Sequence, residues 1–279
     1  MSPERSYAKL DPHLAELLQF IFRRYGYDFQ GYAELPLQRR FVILMNKFGF
    51  NSFSDIQKKI VDRRFFFGEF LGEMTCTVTS MFRDPEVFLS LANDVFPVLA
   101  TYPSIRIWHA GCSSGEEAFS MAILLEQHGL LNKSTIYATD INPHALQKAK
   151  SGILGKHEMV LAAKNYLESG GSGTLGDHYI SVNREIKLKA HLHEHIVFSE
   201  HNIVVDSVFA ETHLILCRNV FIYLKESLKP RILNLFLESL ASRGFLCASK
   251  EDSSFMRKQD KKLSQVKPNI PIYQKLRFT

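Results

Sequence analysis

Cysteine is scarce in this sequence, and none of it is paired. Four cysteines stand in 279 residues, at positions 76, 112, 217 and 247, and no Cys-x-x-Cys occurs. That argues against a disulfide framework or a structural zinc site, and for a reducing compartment. Long apolar runs are missing too: no stretch of about 18 apolar residues exists, so no transmembrane helix is expected. The opening MSPERSYAKLDPH has no apolar core of a secretory signal. These absences predict a cytoplasmic protein with no direct membrane insertion. A broad basic patch with interleaved aromatics is also not evident, so nucleic acid is not an expected partner. Net charge is only +5, with 46% hydrophobic and 23% charged residues, an ordinary balance for a soluble globular chain. No internal repeat stands out.

What is present falls into two halves. The first reads as helices. Asp11 suits an N-cap and Pro12 a first helical position, and Leu14, Leu17, Leu18, Ile21, Phe22 and Tyr25 mark one helical face. A second helix after Pro36 would bury Phe41, Leu44, Met45 and Phe48. A third begins near Ser54 and leads to Phe65, Phe66 and Phe67, which read as core. A fourth opens at Asp84-Pro85 over Phe88, Leu91, Val95 and Phe96. After Pro103 the pattern changes. The β-prone runs RIWHA, TIYATD, HIVFSEHN, HLILC and GFLCAS alternate with helical stretches near 116–128, 143–150 and 226–241. Such alternation predicts an α/β domain with a largely parallel sheet. The segment 152–195 breaks the rhythm. It holds SGGSGTLGD beside the alternating YISV and IKLKAHLH, and reads as a small antiparallel β-insert.

The run IRIWHAGCSSGEEAFSMAILL carries the chemistry. An apolar strand ends at Gly111, a glycine-rich turn follows, and a helix begins. Such turns commonly cradle phosphate, yet Glu116 and Glu117 would repel one. The next strand ends in Asp140, where a carboxylate can accept both hydroxyls of a ribose. The combination favours an adenosine that carries a cation rather than a pyrophosphate, and S-adenosylmethionine has that chemistry. Read purely as structure, the two glutamates are helix-start residues that favour the dipole.

Taken together, GCSSGEEAFSMAILL, ATDINPHAL, LILCRNVFIYL and the upstream FRDPEVF resemble the CheR-type chemoreceptor glutamate methyltransferases, from the helical N-terminal region to about Gly244. The resemblance implies an all-α N-terminal domain (1–82) and a Rossmann-like α/β domain that binds S-adenosylmethionine (83–279), with the insert at 152–195 as its small antiparallel β-subdomain. Carried over by motif, it implies cofactor contacts at Thr77, Thr79 and Arg83, then at Glu117, Asp140, Asn202, Arg218 and Asn219. Gly111 opens the turn and Tyr223 faces the substrate side. Two departures stand out: Thr77 takes the place of a usual Asn, and Ala248-Ser249-Lys250-Glu251 replaces a usual Gly-His-Ser-Glu.

The reaction implied moves a methyl group from the sulfonium to a glutamate carboxylate on methyl-accepting chemoreceptor cytoplasmic domains, with S-adenosylhomocysteine as product. Arg83 is the candidate for orienting the carboxylate, since a planar fork matches it, and Tyr223 shares that task. The protein is expected to work as a monomer. Competing readings are a methyltransferase for another acceptor and a non-catalytic S-adenosylmethionine-sensing adaptor. No metal site is expected: His191, His193 and His195 alternate, as on one solvated strand face. Trp108 reads as core.

Overall fold

The parallel sheet predicted after Pro103 is present, and its strand order explains where a ligand can sit. The computed structural model describes residues 12–29, 31–63, 65–75, 79–155, 159–182, 185–259 and 261–277. The chain divides into two compact units. One runs to Thr75 and includes Tyr223–Leu228; the other holds the remainder.

The helical unit contains α1 (Pro12–Tyr25), α2 (Glu34–Phe48), α3 (Phe53–Asp62) and α4 (Phe66–Met74). Leu14, Leu17, Leu18 and Ile21 of α1 share one core with Phe41, Leu44, Ile56, Ile60, Phe66 and Phe70. The proposed cap Asp11 lies outside the described residues. Helix α2 starts two residues before Pro36, which its first turn tolerates because the missing N–H would have no helical partner there. Ser52 caps α3 by accepting from the Asp55 N–H at 3.2 Å. The apolar run at 65–67 is split: Phe66 and Phe67 are buried, but Phe65, just ahead of α4, is 86% exposed. Tyr223–Leu228 returns to this unit. The Ala33 N–H donates to the Tyr223 carbonyl at 2.8 Å, and Lys225 N–H to the Gly31 carbonyl at 2.9 Å.

The α/β unit opens with α5 (Pro85–Ser90) and α6 (Phe96–Leu99), joined by a wide π-type turn at Leu91–Val95 just before Pro97. Its strands are β1 (Ile105–Ala110), β2 (Ser134–Asp140), β3 (Ile153–Leu154), β4 (Tyr179–Val182), β5 (Glu185–Leu188), β6 (Ile196–Glu200), β7 (Thr212–Leu216), β8 (Leu240–Cys247), β9 (Leu263–Lys267) and β10 (Ile270–Lys275). Its later helices are α7 (Glu116–Gln127), α8 (Pro143–Ser151), α9 (Met159–Glu168), α10 (Ala190–His193), α11 (Lys229–Ser239) and α12 (Ser253–Arg257). The main sheet has seven strands in the order β6-β2-β1-β7-β8-β10-β9. The first five are mutually parallel, and β10 runs antiparallel to both its neighbours. Strand order reverses beside β1, so the crevice beyond its carboxyl end is the place for a ligand. Trp108 is core, as expected: it is fully buried, and its Nε1–H donates to Thr139 Oγ1 at 2.9 Å.

The insert holds a separate three-stranded antiparallel sheet, β3-β5-β4, and also the ten-residue α9, which the alternation of its flanking strands did not suggest. Nor is its glycine loop loose. Gly171 N–H donates to the Tyr166 carbonyl at 2.9 Å, and the buried Tyr166 hydroxyl donates to the Ser172 carbonyl at 2.5 Å. A Cβ at Gly171 would lie 2.5 Å from that ring, so the backbone wraps it only as glycine. The alternating AHLH is a helical turn, closed by bonds from the Leu192 and His193 N–H groups to the Lys189 carbonyl. The three histidines therefore do not share a strand face. Among the described residues no cluster of His, Cys, Asp and Glu is arranged to hold a metal, and no helix is long and apolar enough to cross a membrane.

Candidate functional site

Gly111 leaves β1 at φ +81°, a left-handed conformation that costs glycine little. A Cβ there would also stand 2.6 Å from Val220 Cγ2, so the strand end and the Arg218–Val220 loop close on each other through this residue. The N–H groups of Gly111 and Cys112 both donate to the Thr139 carbonyl at 2.8 Å, which ties the turn to the end of β2. Six described non-glycine residues have positive φ; four of them, Phe82, Asp84, Ser113 and Asn219, lie in the three loops gathered here. Such strain concentrates where surrounding structure fixes a functional geometry.

Asp140 ends β2 partly buried. Its Oδ2 accepts from the Ser113 N–H and its Oδ1 from the Asn142 N–H, each at 2.8 Å. One bond per oxygen orients the carboxylate and leaves further acceptor positions for a diol. Burial raises its pKa, and the N–H groups of Asn142, Ser113 and Ile141 oppose that only in part. Asn142 then caps α8, accepting from His144 and Ala145 N–H groups, so the ATDINP motif fixes both the acid and the helix behind it.

The two glutamates part company. Glu116 turns inward and is 1% exposed; Ser114 Oγ donates to its carboxylate, and Lys148 Nζ stands 3.7 Å from Oε1. Of the two glutamates read as suiting a cationic group, this one is held by the protein itself, and the motif resemblance singles out Glu117 alone. Glu117 lies at the surface of the turn, 18% exposed. His109 Nδ1 is 2.8 Å from its Oε1, and Arg218 Nη1 is 2.9 Å from its Oε2. Burial would raise its pKa, but the His109 bond and the Arg218 charge outweigh it and hold the carboxyl below its usual range.

Arg218 is 2% exposed and spans three partners. Besides Glu117 it donates to the Arg83 carbonyl at 2.9 Å and pairs with Asp84. Its guanidinium also stands over the Phe88 ring, 5.8 Å from the centroid. Burial works against its charge, yet Glu117, Cys247 and Asp84 raise its pKa. Arg218 therefore braces the site. It was expected as a cofactor contact; its Nη1 and Nη2 are engaged by protein groups.

The remaining candidates are spread. The Arg83 side chain is half-buried and, among the described residues, has no hydrogen-bond or ion-pair partner. Thr79 is likewise half-buried; Thr77 lies outside the described residues. Asn202 follows β6, and its Oδ1 accepts from the Val204 N–H at 3.0 Å. The Asn219 N–H donates to Ser249 Oγ at 2.6 Å, so the divergent Ala-Ser-Lys-Glu stretch still anchors the Asn219 turn. Tyr223 belongs to the segment grouped with the helical unit. Sequence reasoning missed His109, Asp84 and Ser249. A histidine inside the apolar RIWHA strand, two residues before the glycine turn, was the one available signal.

The residues present fit a cationic nucleoside. The Cys112 thiol is pushed well above its usual pKa by burial and then by Asp140, Glu117 and Glu116, which records a concentrated negative field at the turn. Ser113 Oγ is buried without a partner, a polar group that a ligand at this turn would satisfy. A phosphate would meet the carboxylates of Glu117 and Asp140.

Comparison with known proteins bears on the same residues. The family model described as CheR methyltransferase, SAM binding domain matches residues 77–270, and that described as CheR methyltransferase, all-alpha domain matches 12–75. A Pseudomonas putida protein provisionally named methyltransferase Cher3 is 40% identical over 269 residues, 96% of this chain and 97% of its own. A Listeria monocytogenes protein named chemotaxis protein methyltransferase is 27% identical over 226 residues, covering 80% and 83% of the two chains. One from Vibrio cholerae, named chemotaxis protein methyltransferase 1, is 27% identical over 257 residues, covering 87% and 90%.

Proposed function

This chain belongs to the CheR methyltransferase family and uses S-adenosylmethionine, and from that premise we propose that it methylates glutamate side chains on the cytoplasmic helices of chemoreceptors. The names of the Listeria and Vibrio relatives support a chemotactic role. The observation that carries the reading is the acid-lined turn at the switch point: Asp140 oriented by two backbone N–H groups, with Glu117 beside it on the Arg218 brace.

When bound, S-adenosylmethionine supplies an electrophilic methyl group on a sulfonium leaving group. The chain's own residues bind and align. Asp140 accepts the ribose hydroxyls, and Glu117 draws the α-ammonium. Thr77, Thr79, Asn202 and Asn219 complete the cofactor contacts that the family motifs assign. A glutamate acceptor is already ionised near neutrality, so no general base is needed. The task is to hold carboxylate oxygen, methyl carbon and sulfur in line, and such positioning is worth roughly 7–11 kcal/mol. Arg83, whose fork has no hydrogen-bond or ion-pair partner among the described residues, orients the incoming carboxylate; the family motif gives Tyr223 a share in that task. Too strong a grip would stabilise the nucleophile more than the transition state, which suits a half-buried arginine. The protein acts in the cytoplasm, where its acceptors are, as a monomer.

The test is direct. Incubate the protein with methyl-labelled S-adenosylmethionine and purified receptor cytoplasmic fragments, then treat with mild alkali. A glutamate methyl ester releases labelled methanol; label that survives alkali, or none at all, would overturn the assignment of the acceptor.

A further inference from the structure

His109 is fully buried in the central strand β1, with its ring nitrogens in opposite situations. Nδ1 lies 2.8 Å from Glu117 Oε1, while Nε2 is buried and has no hydrogen-bond partner. A proton on Nε2 would be stranded among apolar neighbours, at the cost of an unmade hydrogen bond. The ring proton therefore belongs on Nδ1, donated to the glutamate. Within β1 His109 shares the face of Ile105 and Ile107, which are core positions under α7. A leucine would pack as well there. The histidine has a use only through Glu117.

We propose that His109 is a positioning residue for the cofactor: by occupying Oε1 from beneath, it fixes the Glu117 carboxylate in the orientation that receives the ligand's ammonium group. This rests on the reading of Glu117 given above. Arg218 holds Oε2 and His109 holds Oε1, so the carboxylate cannot rotate about its last bond. The two supports differ in kind. Arg218 brings a full positive charge, whereas the Nδ1–H tautomer brings a dipole and leaves the carboxylate its negative charge for the ligand. A cation in place of His109 would compete with the ligand's own.

Calorimetric titration with S-adenosylhomocysteine, which keeps the ammonium group, tests this. His109→Leu should weaken binding about tenfold, the scale of one hydrogen bond to a charged group, and should also lower thermal stability near neutrality, because the lost bond is one of those that hold the Glu117 carboxyl low. His109→Asn places an amide donor at the Nδ1 position and should restore affinity to within about twofold of wild type. In a Glu117→Gln background His109→Leu should add almost nothing, since coupled residues fail to add. Should His109→Leu not fold, His109→Gln replaces it, because its amide falls at the Nε2 position and leaves Oε1 without a donor. Unchanged affinity in the variant without an Nδ1 donor, or an equal loss in the Glu117→Gln background, overturns the role of His109 alone. A wild-type protein that does not bind S-adenosylhomocysteine overturns the reading of the whole site.

Discussion

Arg218 and Glu117 meet at 2.9 Å between Nη1 and Oε2, with the arginine side chain 2% exposed. The pair joins the loop after β7 to the start of α7, and through Asp84 and the Arg83 carbonyl it reaches the loop before α5. Three segments far apart in the chain are thus held by one guanidinium. A buried ion pair adds little net stability over an apolar substitute, but removing one partner is costly.

Arg218→Ala should therefore destabilise the protein by roughly 3–5 kcal/mol, because the largely buried Glu117 loses its counter-charge. Arg218→Lys should fall between, since a point charge cannot serve three directions at once. Urea denaturation of the two variants gives the ranking; equal stability of wild type and Arg218→Ala would show that the brace is idle.

Acid should reveal Glu117. Its carboxyl is held below the usual 4.5: burial pushes upward, and the His109 bond with the Arg218 charge pulls further down. A carboxyl depressed in the folded state adds stability that is present above the unfolded value and lost as pH falls through the folded one. The stability gap between wild type and Glu117→Gln should be widest near neutrality and should close as pH drops below 4.5. Chemical denaturation at a series of pH values measures that gap directly. A gap that widens in acid contradicts the sign.

Gly111 tests the contact between turn and loop. Gly111→Ala meets both a φ of +81° and Val220 Cγ2 at 2.6 Å from the new methyl. Backbone strain and overpacking together should cost roughly 2–5 kcal/mol. Adding Val220→Ala relieves only the clash, so the double variant should recover part of the loss and not all of it. Full recovery, read by thermal melting, would mean that the backbone conformation carries no penalty.

Arg83 separates chemistry from stability. With no partner among the described residues, Arg83→Ala should shift stability by no more than about 0.5 kcal/mol. If it orients the acceptor, receptor-fragment methylation should fall by about 100-fold or more, a scale consistent with lost alignment, while affinity for S-adenosylhomocysteine changes little. Arg83→Lys should rescue poorly for want of the planar fork. Methylation that proceeds at the wild-type rate in Arg83→Ala removes this residue from the mechanism.

Much of this architecture was readable in advance. RIWHA, TIYATD, HIVFSEHN, HLILC and GFLCAS are β1, β2, β6, β7 and β8, because apolar strands between helices announce themselves locally. The insert was harder. AHLH alternates as a strand does, yet it folds as a helical turn that buries Leu192, and four residues are too few for periodicity to decide. Helix α11 begins at Lys229 rather than 226 because Tyr223–Leu228 packs with the helical unit, a long-range choice that no local pattern carries.

The sequence by itself determined the switch-point turn, the acid at the end of β2 and the chemical class of the ligand. Each follows from a local necessity: glycine where φ must be positive, and carboxylates where phosphate is unwelcome. Only the tertiary structure decided where each of the two glutamates goes. Adjacent helical residues diverge by about 100°, and the packing of α7 on the sheet sets the rotation that sends Glu116 into the core and Glu117 toward His109 and Arg218. The partners that receive Glu117, at positions 109 and 218, with Asp84 behind Arg218, meet only once the chain has folded.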